Sequence, residues 1–261
     1  KPKPHFGQDK INALLNMNAG WAPAEGDLSR SMLVGALRDY QVEFQGKPSP
    51  DPEFSGRISS FVESHDANEA SGGVRTAPSR VNMRNEAAIE FLENRFSARE
   101  FGDTPISDSD LAAITQLTQR APSQCNRQSC RLHVYRDRQK IQELLELQGG
   151  SRGFSDAVPT LFVVTSEVTA WGGPQQRNQP YMDGGLFSMM LLLGLDATGF
   201  VSCPLNLAIT NRTERAIKAA GDIPARERLI VMVAAGQQPD HAIRAANSPR
   251  WGADMICQVH S

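Results

Sequence analysis

The stretch 94–101, which reads NRFSAREF, carries two arginines and a serine at alternate positions. Successive side chains of an extended segment point to opposite sides, so Arg95, Ser97 and Arg99 would share one side of it. Two guanidinium groups and a hydroxyl suit a phosphate, because each guanidinium offers a planar fork of donors. The alternative is an ordinary charged helix end, which is common at protein surfaces.

A second polar stretch, 121–128, reads APSQCNRQ. Pro122 is expected to end a helix, and Ser123, Gln124 and Asn126 follow it. Hydroxyl and amide groups can match the donors and acceptors of a heteroaromatic ring. The alternative is an ordinary capped loop. A third stretch, 199–206, reads GFVSCPLN, and we interpret it as a loop that presents backbone N–H groups to a ligand.

The cysteines and histidines do not form a recognisable metal or disulfide pattern. Four cysteines in 261 residues are too sparse for a disulfide scaffold. Cys125 and Cys130 have no second close pair, and the five histidines are scattered, so the spacing disfavours zinc. His133 alternates with apolar neighbours on a predicted strand, and we expect its side chain to be exposed.

Composition is that of an ordinary globular protein, with 40% apolar residues and a formal net charge of -2. Such a charge offers no argument for a nucleic-acid partner. The longest apolar run, around 186–195, is about half of the roughly 20 residues that a membrane span needs. No leader-like pattern follows the first residue, so we expect a cytoplasmic protein.

The predicted secondary structure divides the chain into an N-terminal arm, residues 1–85, and a main domain, residues 86–261. Residues 1–85 are rich in Pro, Gly and Ser; helical patterns at 28–40 and 58–62 interrupt them, and we expect flexibility near 66–80. Residues 86–261 predict, in order, helix, helix, strand, helix, strand, long helix, helix and strand. This order indicates an α+β body with a central sheet. The long helix, 183–199, is apolar on most faces and is expected inside the core, its Met pair 189–190 included.

Taken together, the motifs resemble those of the nitroreductase-like FMN-dependent flavoproteins. RFSAR at 95–99 looks like their R-x-S-x-R/K motif, and APSQCNRQ is similar to their S/A-P-S-x-x-N-x-Q segment. GFVSCPLN resembles their loop after the long helix, and 228–250 resembles their last strand and basic tail. The resemblance covers about residues 86–252, with the motifs in the family's order.

The resemblance implies an α+β sandwich, with a mainly antiparallel sheet flanked by helices, in a domain-swapped homodimer that binds FMN at the subunit interface. Arg95, Ser97 and Arg250 would hold the FMN phosphate. Arg99 would lie near the N1/C2 carbonyl edge or the ribityl chain, where a positive charge stabilises reduced flavin. The cofactor contacts implied in full are Arg95, Phe96, Ser97, Arg99, Pro122, Ser123, Gln124, Asn126, Ser202, Cys203, Pro204, Leu205 and Arg250.

Of these contacts, the group at 122–126 would reach the FMN of the partner subunit, and the group at 202–205 would face the ring, with one donor near N5. The chain departs from the pattern at two places. Ser129 and Cys130 stand where many members have Pro-Trp. The sequence CPLN at 203–206 resembles the TPLN of the iodotyrosine deiodinase branch, but a thiol is a weaker donor than a Thr hydroxyl.

The leading hypothesis is an FMN-dependent oxidoreductase that takes electrons from NADH or NADPH and passes them to a second substrate at the same flavin face. That substrate would be a small aromatic, nitro, quinone or specialised metabolite. The flavin performs the difficult step, so no catalytic side chain is assigned. Two alternatives stay open: a flavin-dependent reductive dehalogenase, and a degenerate flavin fold that acts in binding or assembly without turnover.

Overall fold

The computed structural model describes residues 6–22, 28–47, 51–66, 71–79 and 84–260. These residues belong to two compact units, Lys1–Arg84 and Asn85–Ser261. The first unit contains the helices α1 (Gln8–Asn18), α2 (Ser29–Phe44) and α3 (Pro52–Glu63). The second contains α4 (Glu86–Glu93), α5 (Asp108–Thr118), β1 (Cys130–Tyr135), α6 (Arg138–Gln148), β2 (Thr160–Glu167), α7 (Gln179–Ala197), β3 (Phe200–Leu205), α8 (Asn211–Ala220), β4 (Glu227–Gln237) and α9 (Ala253–Ile256).

The helices of the first unit pack on a small apolar core that includes Leu15, Leu37 and Phe54. The expected helices at 28–40 and 58–62 correspond to α2 and α3, both longer than their patterns. The sequence pattern missed α1, because Leu15 is its one buried residue and its composition is largely polar. The stretch near 66–80, where flexibility was expected, lies partly outside the described residues.

The second unit is built on a four-stranded antiparallel sheet in the order β1-β2-β4-β3. Strand β2 reads TLFVVTSE and is buried along nearly its whole length, as a central strand with both faces covered should be. Alternate residues serve opposite faces: Leu161 and Val163 pack with α6 and α8, and Phe162 and Val164 pack with α5 and α7. The sandwich of helices around an antiparallel sheet agrees with the α+β expectation.

Helix α7 corrects one expectation about the core. It begins at Gln179, before the predicted start, and it is buried on one side only. Leu191 and Leu195 are fully buried, whereas Leu186 is 48% exposed and Met189 is 41% exposed. The placement of Met189 in the core was therefore wrong. The cause is that the sheet covers one face of the helix, while apolar residues continue onto the uncovered face.

Strand β3 corrects a second expectation, since residues 199–206 were interpreted as a loop. Phe200–Leu205 instead pairs with β4, with Cys203 opposite Ala234. Pro204 obscured the strand pattern, because proline has no N–H for a ladder. It is tolerated here because β3 lies at the edge of the sheet.

His133 corrects a third expectation, because it is not a simple exposed residue. Its Nε2 lies 2.7 Å from Oε2 of Glu227, whose side chain is only 6% exposed. The hydroxyl of Thr165, which is fully buried, donates to the same carboxylate oxygen. This cluster joins β1, β2 and β4 on one face of the sheet. These hydrogen bonds link three strands of the sheet through one buried carboxylate.

We expect Glu227→Ala to lower the free energy of unfolding by about 3 kcal/mol, because it leaves the buried Thr165 hydroxyl and the half-buried His133 ring without an acceptor. Glu167 provides the matched control, since it lies directly across the ladder from Glu227 and its side chain is 20% exposed. Its ion pair with Arg226 is nearer the surface, so Glu167→Ala should cost less than about 1 kcal/mol. Urea unfolding of both variants measures the difference. Equal losses would contradict a special role for the buried cluster.

Candidate functional site

The segment after α4 is held in place by a short anchor to the sheet. Helix α4 ends at Glu93, and the N–H of Ala98 then donates to the carbonyl of Ser202 on β3, at 2.9 Å. Ala98 is fully buried, and Phe96 packs against the same apolar cluster. Because Ala98 faces inward, its neighbours Ser97 and Arg99 face away from the core. Phe96 contacts both the cluster and the cavity described next.

Those outward residues line a cavity of about 390 Å³, which we call the arginine cavity. Arg95, Ser97 and Arg99 contribute to its wall, and Arg250 from the C-terminal segment completes the group. Glu93 adds the one carboxylate of the lining. The structure thus brings together all four residues that were predicted to surround the FMN phosphate and N1/C2 edge.

The arginine cavity is electropositive, since three guanidinium groups face one carboxylate. Within the described ranges, the side chains of Arg95, Ser97 and Arg99 have no hydrogen bond or ion pair with the protein. Arg250 donates to the carbonyl of Ser248. A phosphate monoester carries about −1.5 to −2 charges at neutral pH and accepts several hydrogen bonds. The donor set fits such a group in charge and in hydrogen-bonding capacity.

The residues of β3 lie next to the anchored segment that lines the arginine cavity, but most of them are buried. Ser202, Cys203 and Leu205 are each less than a tenth exposed, and Pro204 is exposed. Cys203 belongs to the same buried apolar cluster as Ala98. Burial raises the pKa of the Cys203 thiol, and the charges of Arg99 and Arg95 partly oppose the rise. Contact of these residues with a flavin ring stays a prediction.

The loop 122–128 has an unusual backbone. Cys125, Asn126 and Gln128 all have positive φ, at 52°, 53° and 50°. Few non-glycine residues adopt this left-handed conformation, and it persists only where the surroundings hold it. Among the contacts that hold the loop, the N–H of Gln128 donates to the hydroxyl of Ser123 at 3.0 Å, and the N–H of Gln124 donates to a carboxylate at 3.0 Å.

That carboxylate belongs to Asp183 on α7, a residue that the sequence motifs did not single out. Its side chain is nearly inaccessible, with the residue 2% exposed. The signal that could have found it is an acidic residue within an otherwise apolar helix, because a buried carboxylate requires hydrogen-bond donors. One donor, Nε2 of Gln179, lies four residues earlier on α7, and the other, the N–H of Gln124, comes from a distant part of the chain that a local pattern does not reveal.

Part of the loop lines a second cavity, of about 400 Å³, between α5, α7 and the edge strand β1; we call it the edge cavity. Pro122 and Ser123 lie on its wall with Leu132 and Phe187. Gln124 and Asn126 line neither cavity. A single chain therefore divides the predicted cofactor residues between separate places, with Pro122 and Ser123 at one and Arg95, Ser97 and Arg99 at the other.

The two cysteines of this stretch differ in exposure. Cys125 is exposed, and Cys130 is partly buried in the wall of the edge cavity; both are free thiols. Burial raises the pKa of Cys130 to about 11, and a hydrogen bond from Ser129 acts in the opposite direction. A thiol with this pKa is protonated near neutral pH, so Cys130 is not an activated nucleophile.

Comparison with known proteins gives a family match and a fold. Residues 92–150 match the model of the Nitroreductase family. No curated protein matches the chain. Among the described residues, no helix has the length and apolar character needed to cross a membrane.

Solved structures resemble about two thirds of the chain in fold. NfrA2 of B. megaterium is 21% identical with a TM-score of 0.59, covering 68% of this chain and 75% of its own. A nitroreductase family protein from Streptococcus pneumoniae is 17% identical with a TM-score of 0.58, covering 66% and 100%. An FMN-dependent nitroreductase from Clostridium difficile is 19% identical with a TM-score of 0.52, covering 61% and 91%. At these identities the likeness shows the fold, and with the family match it confirms the resemblance found in the motifs.

Proposed function

We propose that this chain, with its nitroreductase fold and its match to the Nitroreductase family model, is an FMN-dependent oxidoreductase. The observation that carries the proposal is the arginine cavity, whose wall contains three guanidinium groups, a hydroxyl and only one carboxylate. A structural relative that is itself an FMN-dependent nitroreductase supports the choice of flavin. NADH or NADPH is the proposed electron donor, and a small aromatic, nitro or quinone compound the acceptor.

In this proposal the protein binds the cofactor and adjusts its environment. Arg95, Ser97 and Arg250 hold the phosphate through charge-assisted hydrogen bonds. Arg99, on the same side of the anchored segment, provides positive charge toward the flavin, which favours its reduced form. FMN, when bound, supplies hydride transfer in both half-reactions. The fully buried Ala98 keeps these side chains in register with β3 through its bond to Ser202.

A homodimer is part of the proposal. The uncovered face of α7 exposes Met182 by 60%, Leu186 by 48% and Met189 by 41%. Leu92 on α4 is 54% exposed, and α4 has no buried residue. Exposed apolar side chains that share one helix face, as Met182, Leu186 and Met189 do at helical spacing, are typical of an interface between subunits. A second copy would also allow the loop 122–128 of one chain to meet a flavin bound at the arginine cavity of the other.

The proposal predicts a yellow protein after incubation with FMN and removal of the excess. Under anaerobic conditions, NADH or NADPH should bleach the bound flavin, and a nitroaromatic or a quinone should restore its absorbance. Absorbance spectra of the purified protein measure each step. A protein that remains colourless with added FMN would overturn the proposal. Bound FMN that neither nicotinamide reduces would instead indicate a flavin-binding protein without this activity.

A further inference from the structure

Asp183 is a buried carboxylate with one hydrogen bond inside its own helix and one to a distant loop. Its Oδ2 accepts from the backbone N–H of Gln124 at 3.0 Å, and its Oδ1 accepts from Nε2 of Gln179 at 2.7 Å. The residue is 2% exposed. In the part of the chain that the structure describes, no Lys, Arg or His forms an ion pair with it. Both oxygens are thus used by neutral donors, one of which belongs to the loop 122–128.

The cost of burying this carboxylate indicates that its contact with the loop matters. Removing a carboxylate from water without a cationic partner costs several kcal/mol, which its hydrogen bonds must offset. A hydrogen bond from a backbone N–H to an ionised carboxylate is among the stronger kinds. The bond to Gln124 lies immediately before Cys125 and Asn126, the first two left-handed residues of the loop. Asp183 therefore fixes the backbone at the residue that precedes the strained part of the loop.

Most other contacts of the loop close it on itself or lie farther along it, where Arg127 donates to Oε1 of Gln176 at 2.8 Å and its guanidinium lies over the Trp171 ring. The hydroxyl of Ser123 accepts from the N–H of Gln128, which closes the loop on itself. Arg127 donates to the carbonyl of Ala170. The side-chain oxygen of Gln124 is buried and lacks a hydrogen-bond partner within the described residues. The bond to Asp183 is the contact that ties the start of the loop to the long helix α7, which packs on the sheet.

We propose that Asp183 is a positioning residue that holds the loop 122–128 in the conformation that meets the flavin. The flavin part of this inference rests on the proposed function. Asp183 acts through Gln124 and does not itself touch the cofactor. It links α7, whose buried face is fixed by the core, to a backbone conformation that non-glycine residues otherwise avoid.

Asp183→Ala removes the acceptor without weakening helix propensity, since alanine is the best helix former. We expect the Gln124 amide of the apo protein to exchange its hydrogen at least about tenfold faster than in the wild type, measured on peptides spanning 121–129. Dissociation constants for FMN and for riboflavin, from flavin fluorescence, should both rise about tenfold. The two should rise equally, because the loop is assigned no contact with the phosphate.

Two further variants separate positioning from general stability. Asp183→Asn keeps an oxygen for the Gln124 N–H, and rotation of the Gln179 amide satisfies its new donor, so exchange and affinity should stay within about threefold of the wild type. Ser188→Ala removes another buried polar group from the same helix, a hydroxyl bonded to the carbonyl of Gly184 at 2.6 Å. It should alter neither loop exchange nor flavin affinity.

Wild-type exchange and affinity in Asp183→Ala would overturn the inference, as would equal losses in Ser188→Ala. If Asp183→Ala does not fold, Asp183→Ser provides the same comparison with a side chain too short to reach Gln124. A wild type that binds neither flavin would overturn the proposed function and the flavin part of this inference. The exchange comparison would then still decide whether Asp183 anchors the loop.

Discussion

Replacing both Arg95 and Arg99 with alanine is expected to weaken FMN binding by at least about 100-fold. A hydrogen bond to a charged group contributes about 1.5–3 kcal/mol, so the loss of two such groups exceeds about 3 kcal/mol. Both side chains line the arginine cavity, and neither has a hydrogen-bond or ion-pair partner among the described residues that would compensate for FMN. The dissociation constant is measured by flavin fluorescence.

The assignment within the pair is tested with riboflavin, which lacks the phosphate. Arg95→Ala alone should weaken FMN binding strongly and riboflavin binding little, whereas Arg99→Ala should affect both, because Arg99 is assigned to the flavin edge or ribityl chain. Arg152→Ala serves as the control, since Arg152 is an exposed arginine outside the cavity. Unchanged FMN affinity in the double variant would contradict the arginine cavity as the phosphate site.

Introducing charge on the uncovered face of α7 is expected to produce a monomer that has lost most of its FMN affinity. In the variant Leu186→Glu with Met189→Glu, two carboxylates replace side chains that are 48% and 41% exposed in the single chain. Burial of unpaired carboxylates in an interface costs several kcal/mol each, which is enough to dissociate an ordinary dimer. Light scattering after size-exclusion chromatography measures the mass, and flavin fluorescence measures the affinity.

The coupled loss is expected because the predicted cofactor residues divide between two places in one chain. A monomer would retain Arg95 and Arg99 in its own arginine cavity but would lack the loop 122–128 of a second copy. Val168→Glu provides the control, since Val168 is 39% exposed on a turn outside α4 and α7. A monomeric wild type, or a charged variant that remains dimeric with full FMN affinity, would contradict the proposed assembly.

The sequence predicted much of this architecture because local patterns carry it. The alternation of Arg95, Ser97 and Arg99 indicated a shared side, and in the structure all three line one cavity. Helix α6 begins after Asp137, whose carboxylate accepts from the N–H of Lys140, and it ends at Gly149 with a φ of 80°. Helix caps and apolar periodicity are short-range signals, so they can be recognised in the sequence without knowledge of the fold.

Strand β3 and helix α7 show where local patterns failed. Pro204 made β3 resemble a loop, and only the position of β3 at the sheet edge explains why a proline is accepted there. The apolar residues of α7 did not reveal which face the sheet covers. Met189 and Leu191 are both apolar, yet one is exposed and the other is fully buried.

By itself, the sequence determined most of the helices, three of the four strands, their order, and the residue types available for a phosphate and a flavin. The family resemblance placed Arg250 beside Arg95, but only the tertiary structure decided that His133 is bonded to Glu227 and that Asp183 accepts from the start of the loop 122–128. Each of these is a contact between residues distant along the chain. Such contacts depend on how the sheet orders its strands and which face each helix covers, and no local periodicity encodes that.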